Sequence, residues 1–455
     1  MTGCVPERND SLLETCERVL ELVGGRAEAE VTVMDGRTAL TRFANSIIHQ
    51  NVADEILTVR LRVALGGRLA SSTTTRLDPA GLAKLVDATL EAAAARPVDP
   101  GWPGLTPPRA NDEDSSTTAP PHPVAPDRRA EIVAEFIGAG RDHGVHATQA
   151  GLEAGYCSTA GYSVIFANSA GCRTAGSTAW ATIDGIHRLG GADGSGWQTA
   201  AHIADLDGSA AGRTAAAKAR RGASPEPLEL PPGRYPVVLE SACVADMLEF
   251  LADGFSAKAH GEGRSFVRLG EAQLDPAITI FDDATDPQAV ALPFDAEGTP
   301  RRRVDLVVDG VPVGLLHDRR TAATAGVAST GHATPGGESY GPSPSTLFLE
   351  PGSNSTADLV TGIDRGLLVT ELWYTRILDP KTSVVTGLTR NGTFLIDNGQ
   401  VTRGVRNLRF TQSYAEALAP GNVLGVGDEA WQRGTEAVVP SLGLAGWNFT
   451  GGARG

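Results

Sequence analysis

The chain has 455 residues, 41% of them hydrophobic and 20% charged, a balance that fits a globular protein with more than one core and excludes a disordered chain. Its net charge of −15, with no basic tract denser than Arg301-Arg302-Arg303, excludes sequence-independent binding to a phosphate backbone. No apolar run approaches the roughly 20 residues that span a bilayer, and Met1–Asp10 lacks the apolar centre of a signal peptide. The five cysteines are scattered, odd in number and never spaced as CxxC, which fits reduced thiols in the cytoplasm.

The first element is a helix. Ser11 and Glu14 have the spacing of a capping box, Leu12, Leu13, Cys16, Val19, Leu20 and Val23 recur at helical spacing, and Gly24-Gly25 can end it. Glu28–Met34 alternates as a strand, Asp35-Gly36 offers a hairpin turn, and Thr38–Ile48 returns. Ile56–Leu65 alternates again, Gly66-Gly67 turns it into Arg68–Thr74, and Asp78-Pro79 supplies an N-cap and first-turn proline for a helix to Ala95. The order implies an N-terminal antiparallel sheet backed by helices over residues 1–96.

Nine prolines between Pro97 and Pro126, around the polar run Asn111–Thr118, mark residues 97–127 as a linker. A second α+β segment, 128–224, follows: a helix over Arg128–His143, strands near Thr148–Ser158, Tyr162–Asn168 and Ser177–Asp184, and an alanine-rich helix over Asp205–Arg221. Pro225–Pro232, with four prolines, is a boundary. Residues 233–455 read as one large β-rich domain. A strand at Tyr235–Glu240 and a helix at Cys243–Leu251 come first, then hairpins turning at Asp309-Gly310 and Asn398-Gly399, with Gly366–Trp373 as a further strand. The fold class is α+β, with a mixed or antiparallel C-terminal sheet.

Residue chemistry alone assembles no catalytic constellation. A zinc-peptidase helix needs two histidines and a neighbouring glutamate on one face, and no HExxH or HExxxH occurs. His143 and His146 lie three apart with no acid beside them, and His260-Gly261-Glu262-Gly263 has the wrong order and two glycines that resist a helix. Gly337-Glu338-Ser339-Tyr340-Gly341 matches G-x-S-x-G, but Pro335, Pro342 and Pro344 bar the strand–turn–helix that a nucleophile elbow requires, so a surface loop is expected. Asp282 and Asp283 are adjacent, point to opposite faces of a strand, and suit turn initiation before Pro287.

An ordered series of short segments is more specific: Gly233–Leu239 (GRYPVVL), Glu262–Phe266 (EGRSF), Asp282-Asp283, Pro293–Gly298 (PFDAEG), Asp318–Ala322 (DRRTA), Ser329–Ala333 (STGHA), Pro342–Ser345 (PSPS), Leu349–Gly352 (LEPG), Gly366–Glu371 (GLLVTE) and Asn398-Gly399. This series resembles the TldD/PmbA family of two-subunit zinc metallopeptidases, once described as gyrase modulators. The resemblance implies that a catalytic subunit carries HExxxH on the helix after the strand matching Tyr235–Leu239, together with a late cysteine ligand. Without gaps that motif falls on Leu248–Asp253, so Glu249 keeps the glutamate position while Leu248 and Asp253 replace both histidines, and Gly443–Gly455 holds no cysteine. His332 and Thr346 also stand where the family usually has asparagine, and Asp379–Gly387 departs from its pattern.

The chain thus resembles the metal-free TldE/PmbA-type subunit, with no catalytic or metal-binding residue of its own. The resemblance further implies zinc in a TldD-like partner, unfolded peptides and leader peptides as substrates, and a heteromer. Asp318, Arg319, Thr330 and His332 are the candidate residues lining a peptide path. A scaffolding homodimer and an independent hydrolase are the alternative expectations.

Overall fold

The computed structural model describes residues 5–108, 124–142, 153–223 and 227–452. The polar run at Asn111–Thr118, the His143 and His146 pair, the start of the strand expected at Thr148, and Pro225 lie outside these residues. The N-terminal half contains α1 (Val5–Val23), β1 (Glu28–Ala44), β2 (Ile47–Leu65), β3 (Arg68–Thr74), α2 (Pro79–Ala94), α3 (Pro126–Asp142), β4 (Ala154–Asn168), β5 (Arg173–Leu189), β6 (Ala192–Ala200) and α4 (Gly208–Gly222). Its strands make one antiparallel sheet in the order β3-β2-β1-β4-β5-β6. β4 lies directly against β1, from Glu30 opposite Asn168 to Ala44 opposite Ala154, so the first and middle segments share this sheet.

Strand alternation sends Val31, Val33 and Phe43 of β1 to a single face. At one end of that face Val31 and Val33 bury with Cys16, Val19, Leu82 and Val86 of α1 and α2. At the other end Phe43 buries with Ile132, Phe136 and Ala211 of α3 and α4. Each fully buried aliphatic or aromatic side chain contributes about 1.5–3 kcal/mol, so these two clusters fix the helices to the sheet.

Two local expectations are corrected. α1 begins at Val5, so Ser11 and Glu14 stand within the helix and form no capping box; the Ser11 carbonyl instead accepts from Thr15 Oγ1 at 2.9 Å. β1 also runs straight through Asp35-Gly36, and the chain turns at Asn45-Ser46, both at positive φ. Gly36 is needed for closeness, since a Cβ there would stand 2.8 Å from Cε1 of Tyr162 on the neighbouring strand. The turn at Gly66-Gly67 and the cap at Asp78, whose side chain accepts from Gly81 N, form as the sequence predicts.

The C-terminal half contains β7 (Gly233–Leu239), α5 (Ser241–Ala252), α6 (Ala257–Gly261), β8 (Ile280–Asp282), β9 (Val304–Val308), β10 (Val311–Pro312), α7 (Arg319–Ala325), β11 (Leu347–Leu349), β12 (Arg365–Val369) and β13 (Leu372–Asp379). β14 (Val384–Thr389), β15 (Thr393–Asp397), β16 (Gln400–Gly404), β17 (Leu408–Ser413), β18 (Val423–Val426), β19 (Trp431–Arg433), β20 (Ala437–Val439) and β21 (Leu442–Gly452) complete it. One sheet has the order β10-β9-β8-β11-β20-β19; the other runs β13-β14-β17-β21-β7-β12-β15-β16, with β18 against β21. Both are mixed, because β11 runs parallel to β20 and β12 parallel to β7. Met247, Leu248 and Leu251 of α5 share one core with Leu306, Leu347, Phe410 and Trp447 from the two sheets.

The halves meet at a buried charge cluster. Arg62 of β2 reaches Glu30 at 2.5 Å and both Glu297 and Glu338 at 3.2 Å, and its guanidinium stands 5.0 Å from the Trp102 ring centre. Thr106 Oγ1 donates to the Glu297 carbonyl at 2.6 Å, while Asn168 Nδ2 donates to the Thr106 carbonyl at 2.8 Å. The proline-rich segment up to residue 108 is therefore strapped between sheet and C-terminal half. Among the described residues no helix is long and apolar enough to cross a membrane.

Candidate functional site

A cleft of about 460 Å³ opens between the two halves beside α5. Its floor is the helix-free face of the N-terminal sheet, with Tyr156 and Ser158 of β4, Trp180, Thr182 and Asp184 of β5, and Thr199 of β6. Asp246 and Glu249 of α5 form one wall, Glu371 and Leu372 stand beside it, and the turn Arg433–Glu436 closes the far side. Five carboxylates and one guanidinium face this space.

Helical spacing explains the α5 contribution. Cys243, Val244, Met247, Leu248 and Leu251 are buried, which leaves Asp246 and Glu249, three residues apart, on the cleft side. Burial pushes the Asp246 carboxyl up to about 6, against hydrogen bonds donated by Thr375 Oγ1 at 2.6 Å and Tyr414 Oη at 3.2 Å. Glu249 keeps solvent contact at the cleft mouth, yet partial desolvation raises it, and the charges of Glu436 and Asp253 add to that. Burial also raises Asp184, opposed chiefly by Arg433, whose Nη1 lies 3.0 Å away and whose guanidinium stands 4.7 Å from the Trp197 ring centre.

These donors do not fit zinc. Leu248, at the first histidine position of the ungapped motif, is 1% exposed in the core. Asp253 sits in the 3₁₀ turn after α5 and is no part of the cleft lining, so Glu249 alone of the three motif positions reaches the cleft. The cleft presents no imidazole or thiolate, its Asp246 oxygens are held by Thr375 and Tyr414, and its Asp184 is held by Arg433. Among the described residues no three His, Cys, Asp or Glu side chains converge as a metal site.

The peptide-path candidates lie elsewhere. Asp318 is buried as the N-cap of α7, accepting from Thr321 N at 2.7 Å. Arg319 is spent on the strap: its Nη2 donates to the Leu105 carbonyl at 2.9 Å, and its backbone N–H donates to Glu297 at 3.1 Å. His332 is 0% exposed, hydrogen-bonded through Nδ1 to Thr330 Oγ1 and through Nε2 to Asp282 Oδ1, both at 2.8 Å. Thr330 and His332 are thus brought together, but inside the protein, where they line no path.

Asp282 is also more than the start of a turn. It accepts from His332, Ser345 Oγ and the backbone N–H groups of Ser345 and Thr346, whereas Asp283 makes the expected turn by accepting from Thr285. The G-x-S-x-G segment forms one helical turn, Gly337–Tyr340, where a loop was expected; its Glu338 pairs with Arg62, and no strand leads into it. His260 lies in the last turn of α6, and Glu262 pairs with Arg264 and Lys258 on the surface.

With this geometry in view, comparison with known proteins assigns the class. Residues 232–451 match the profile of the PmbA/TldA metallopeptidase C-terminal domain and residues 29–93 that of domain 1 of the same family. The chain belongs to the PmbA/TldD metallopeptidase family. A TldD homologue described as a metalloprotease, from Buchnera aphidicola, is 25% identical over 202 residues, which is 42% of this chain and 41% of the relative. The match therefore spans less than half the length of that relative. A solved structure from Thermotoga maritima, described as a proposed modulator of a DNA gyrase, superposes with a TM-score of 0.83 at 20% identity, covering 96% of this chain and 100% of that one. TldE from Thermococcus kodakarensis gives 0.82 at 19% identity, with 97% and 100% covered. At such identities the likeness shows a shared fold.

Proposed function

We propose that this chain is the non-catalytic, TldE-like subunit of a cytoplasmic two-chain metallopeptidase, and that a TldD-like partner holds the zinc. The complex would degrade or trim unfolded peptides, leader peptides of modified natural products among them. The observation that carries this reading is the fate of the motif on α5: its first position is a leucine packed in the core, and the cleft beside it offers carboxylates without an imidazole or thiolate. A divalent zinc site built for hydrolysis needs three firm protein ligands and an open position. A family helix that keeps its place beside a cleft while lacking those ligands suits a supporting wall.

Coexpression of the chain with a TldD-like chain carrying HExxxH tests this. The expected result is a copurifying complex that contains zinc, cleaves an unfolded peptide and loses activity to a chelator, while the lone chain does none of these. Chelator-insensitive cleavage by the lone chain would replace the reading with an independent hydrolase.

A further inference from the structure

A second cavity, of about 470 Å³, lies where the β5–β6 turn and the end of α4 face β14 and β15. Its lining carries three charged residues, Asp193, Arg390 and Arg406. Two of them have counterions: Asp193 accepts from Arg188 Nη2 at 2.7 Å, and Arg406 Nε lies 3.1 Å from Glu229. Arg390 is half-buried, yet its guanidinium has no carboxylate partner among the described residues. Glu371, whose carbonyl accepts from the Arg390 backbone, spends its side chain on Asn391 Nδ2 at 2.7 Å. A cation drawn partly out of water without an acceptor is costly, and a ligand that supplies one would remove that cost.

The fold fixes this cation in place. Arg390, Asn391 and Gly392 alone join β14 to β15. The Arg390 backbone N–H donates to the Glu371 carbonyl, and the Gly392 carbonyl accepts from the Thr370 N–H, both at 3.0 Å. Only glycine fits at 392, where φ is 140° and a Cβ would stand 2.5 Å from Thr370 Oγ1. The guanidinium carbon lies 4.0 Å from the Trp373 ring centre, and Tyr374 braces that ring edge-on at 5.5 Å. Stacking occupies the flat face of a guanidinium and leaves its in-plane N–H donors, the fork that matches a carboxylate. Trp373, 42% exposed, and its cross-strand neighbour Leu388 supply apolar surface beside those donors. One unbalanced positive charge suits one carboxylate, whereas the chain's net charge of −15 repels polyanions. We infer that this cavity is a subsite for a peptide carboxylate, gripped by Arg390 with the adjoining side chain against Trp373; that the carboxylate belongs to a peptide rests on the function proposed above.

Titration calorimetry of the lone full-length chain at low salt tests this with three probes: acetyl-Gly-Gly-Phe as the free acid, the same peptide as its carboxamide, and acetyl-Gly-Glu-Phe carboxamide. The free acid should bind about tenfold more tightly than its carboxamide, the usual scale for one charge-assisted bidentate contact. Arg390→Gln should abolish that difference, and Arg390→Lys, which keeps the charge without the fork, should retain only part of it. A gain by the free acid alone assigns the chain terminus, and an equal gain by the glutamate peptide assigns peptide carboxylates in general; both support the inference. Equal binding of all three probes by the unmodified chain, no binding of the free acid at millimolar concentration, or a carboxylate preference that survives Arg390→Gln would overturn it. The comparison of probes on the unmodified chain needs no variant to fold. Chromatography of the recovered peptide separates the two proposals: intact peptide bound without preference defeats the subsite, whereas peptide cleaved by the lone chain defeats the proposed function.

Discussion

Beside α5, carboxylates from separate stretches of chain face a solvent-filled cleft; around His332, a carboxylate, an imidazole and hydroxyls are sealed in and bonded to one another. Both regions are polar clusters in a fold dominated by apolar packing. Buried polar groups survive where every donor finds an acceptor, as Asp282 does with His332, Ser345 and Thr346. In the cleft, burial that hydrogen bonds and the Arg433 charge only partly offset raises Asp246 and Asp184, and partial burial with the charges of Glu436 and Asp253 raises Glu249. The sealed cluster holds two loops onto β8, whereas the cleft leaves its carboxylates facing open space.

The largest effect should come from breaking the sealed cluster. Asp282→Ala strands His332 and two backbone N–H groups without an acceptor and should cost about 3–5 kcal/mol of unfolding free energy, read from the urea midpoint. A loss below 1 kcal/mol would mean that the two regions do not differ as described.

A smaller effect of opposite sign is expected in the cleft. The folded Asp246 carboxyl, at about 6, keeps its proton in a range where the unfolded group, near 3.8, has lost it. Its contribution to stability is therefore present below about pH 4 and is lost as the pH rises through 6. Asp246→Asn imitates the protonated form and should raise stability at pH 7 by on the order of 1–2 kcal/mol while flattening the slope between pH 4 and 6. A destabilised, equally pH-dependent variant would contradict this. The smallest effect belongs to Glu249→Gln at the cleft mouth, which should shift the unfolding midpoint by no more than about 0.5 kcal/mol.

The sequence made the skeleton legible wherever a local rule decides. Asp78-Pro79 starts α2, Gly66-Gly67 turns β2 into β3, and Asp309-Gly310 turns β9 into β10, since capping and positive φ are settled by a few neighbours. Local rules failed at Asp35-Gly36, where a tertiary demand for closeness to Tyr162 placed a glycine that imitates a turn. They failed again for the candidate site. Asp184, Asp246, Glu371 and the Arg433–Glu436 turn come from widely separated stretches with no shared motif, and only the fold brings them together. The one available signal was helical phase: with Leu248 assigned to the core side of α5, Asp246 and Glu249 must share the opposite face. His332 and Thr330 misled for the converse reason, because a polar residue in a glycine-rich loop looks exposed until its hydrogen bonds are seen.

Metal analysis of the purified lone chain, loaded with excess zinc and then desalted, is the most direct test of the central claim. A chain whose α5 turns leucine inward and whose cleft holds carboxylates without nitrogen or sulfur ligands should retain far less than one zinc per chain, with Glu249→Gln making no difference. Stoichiometric zinc that is lost in Glu249→Gln would contradict the account.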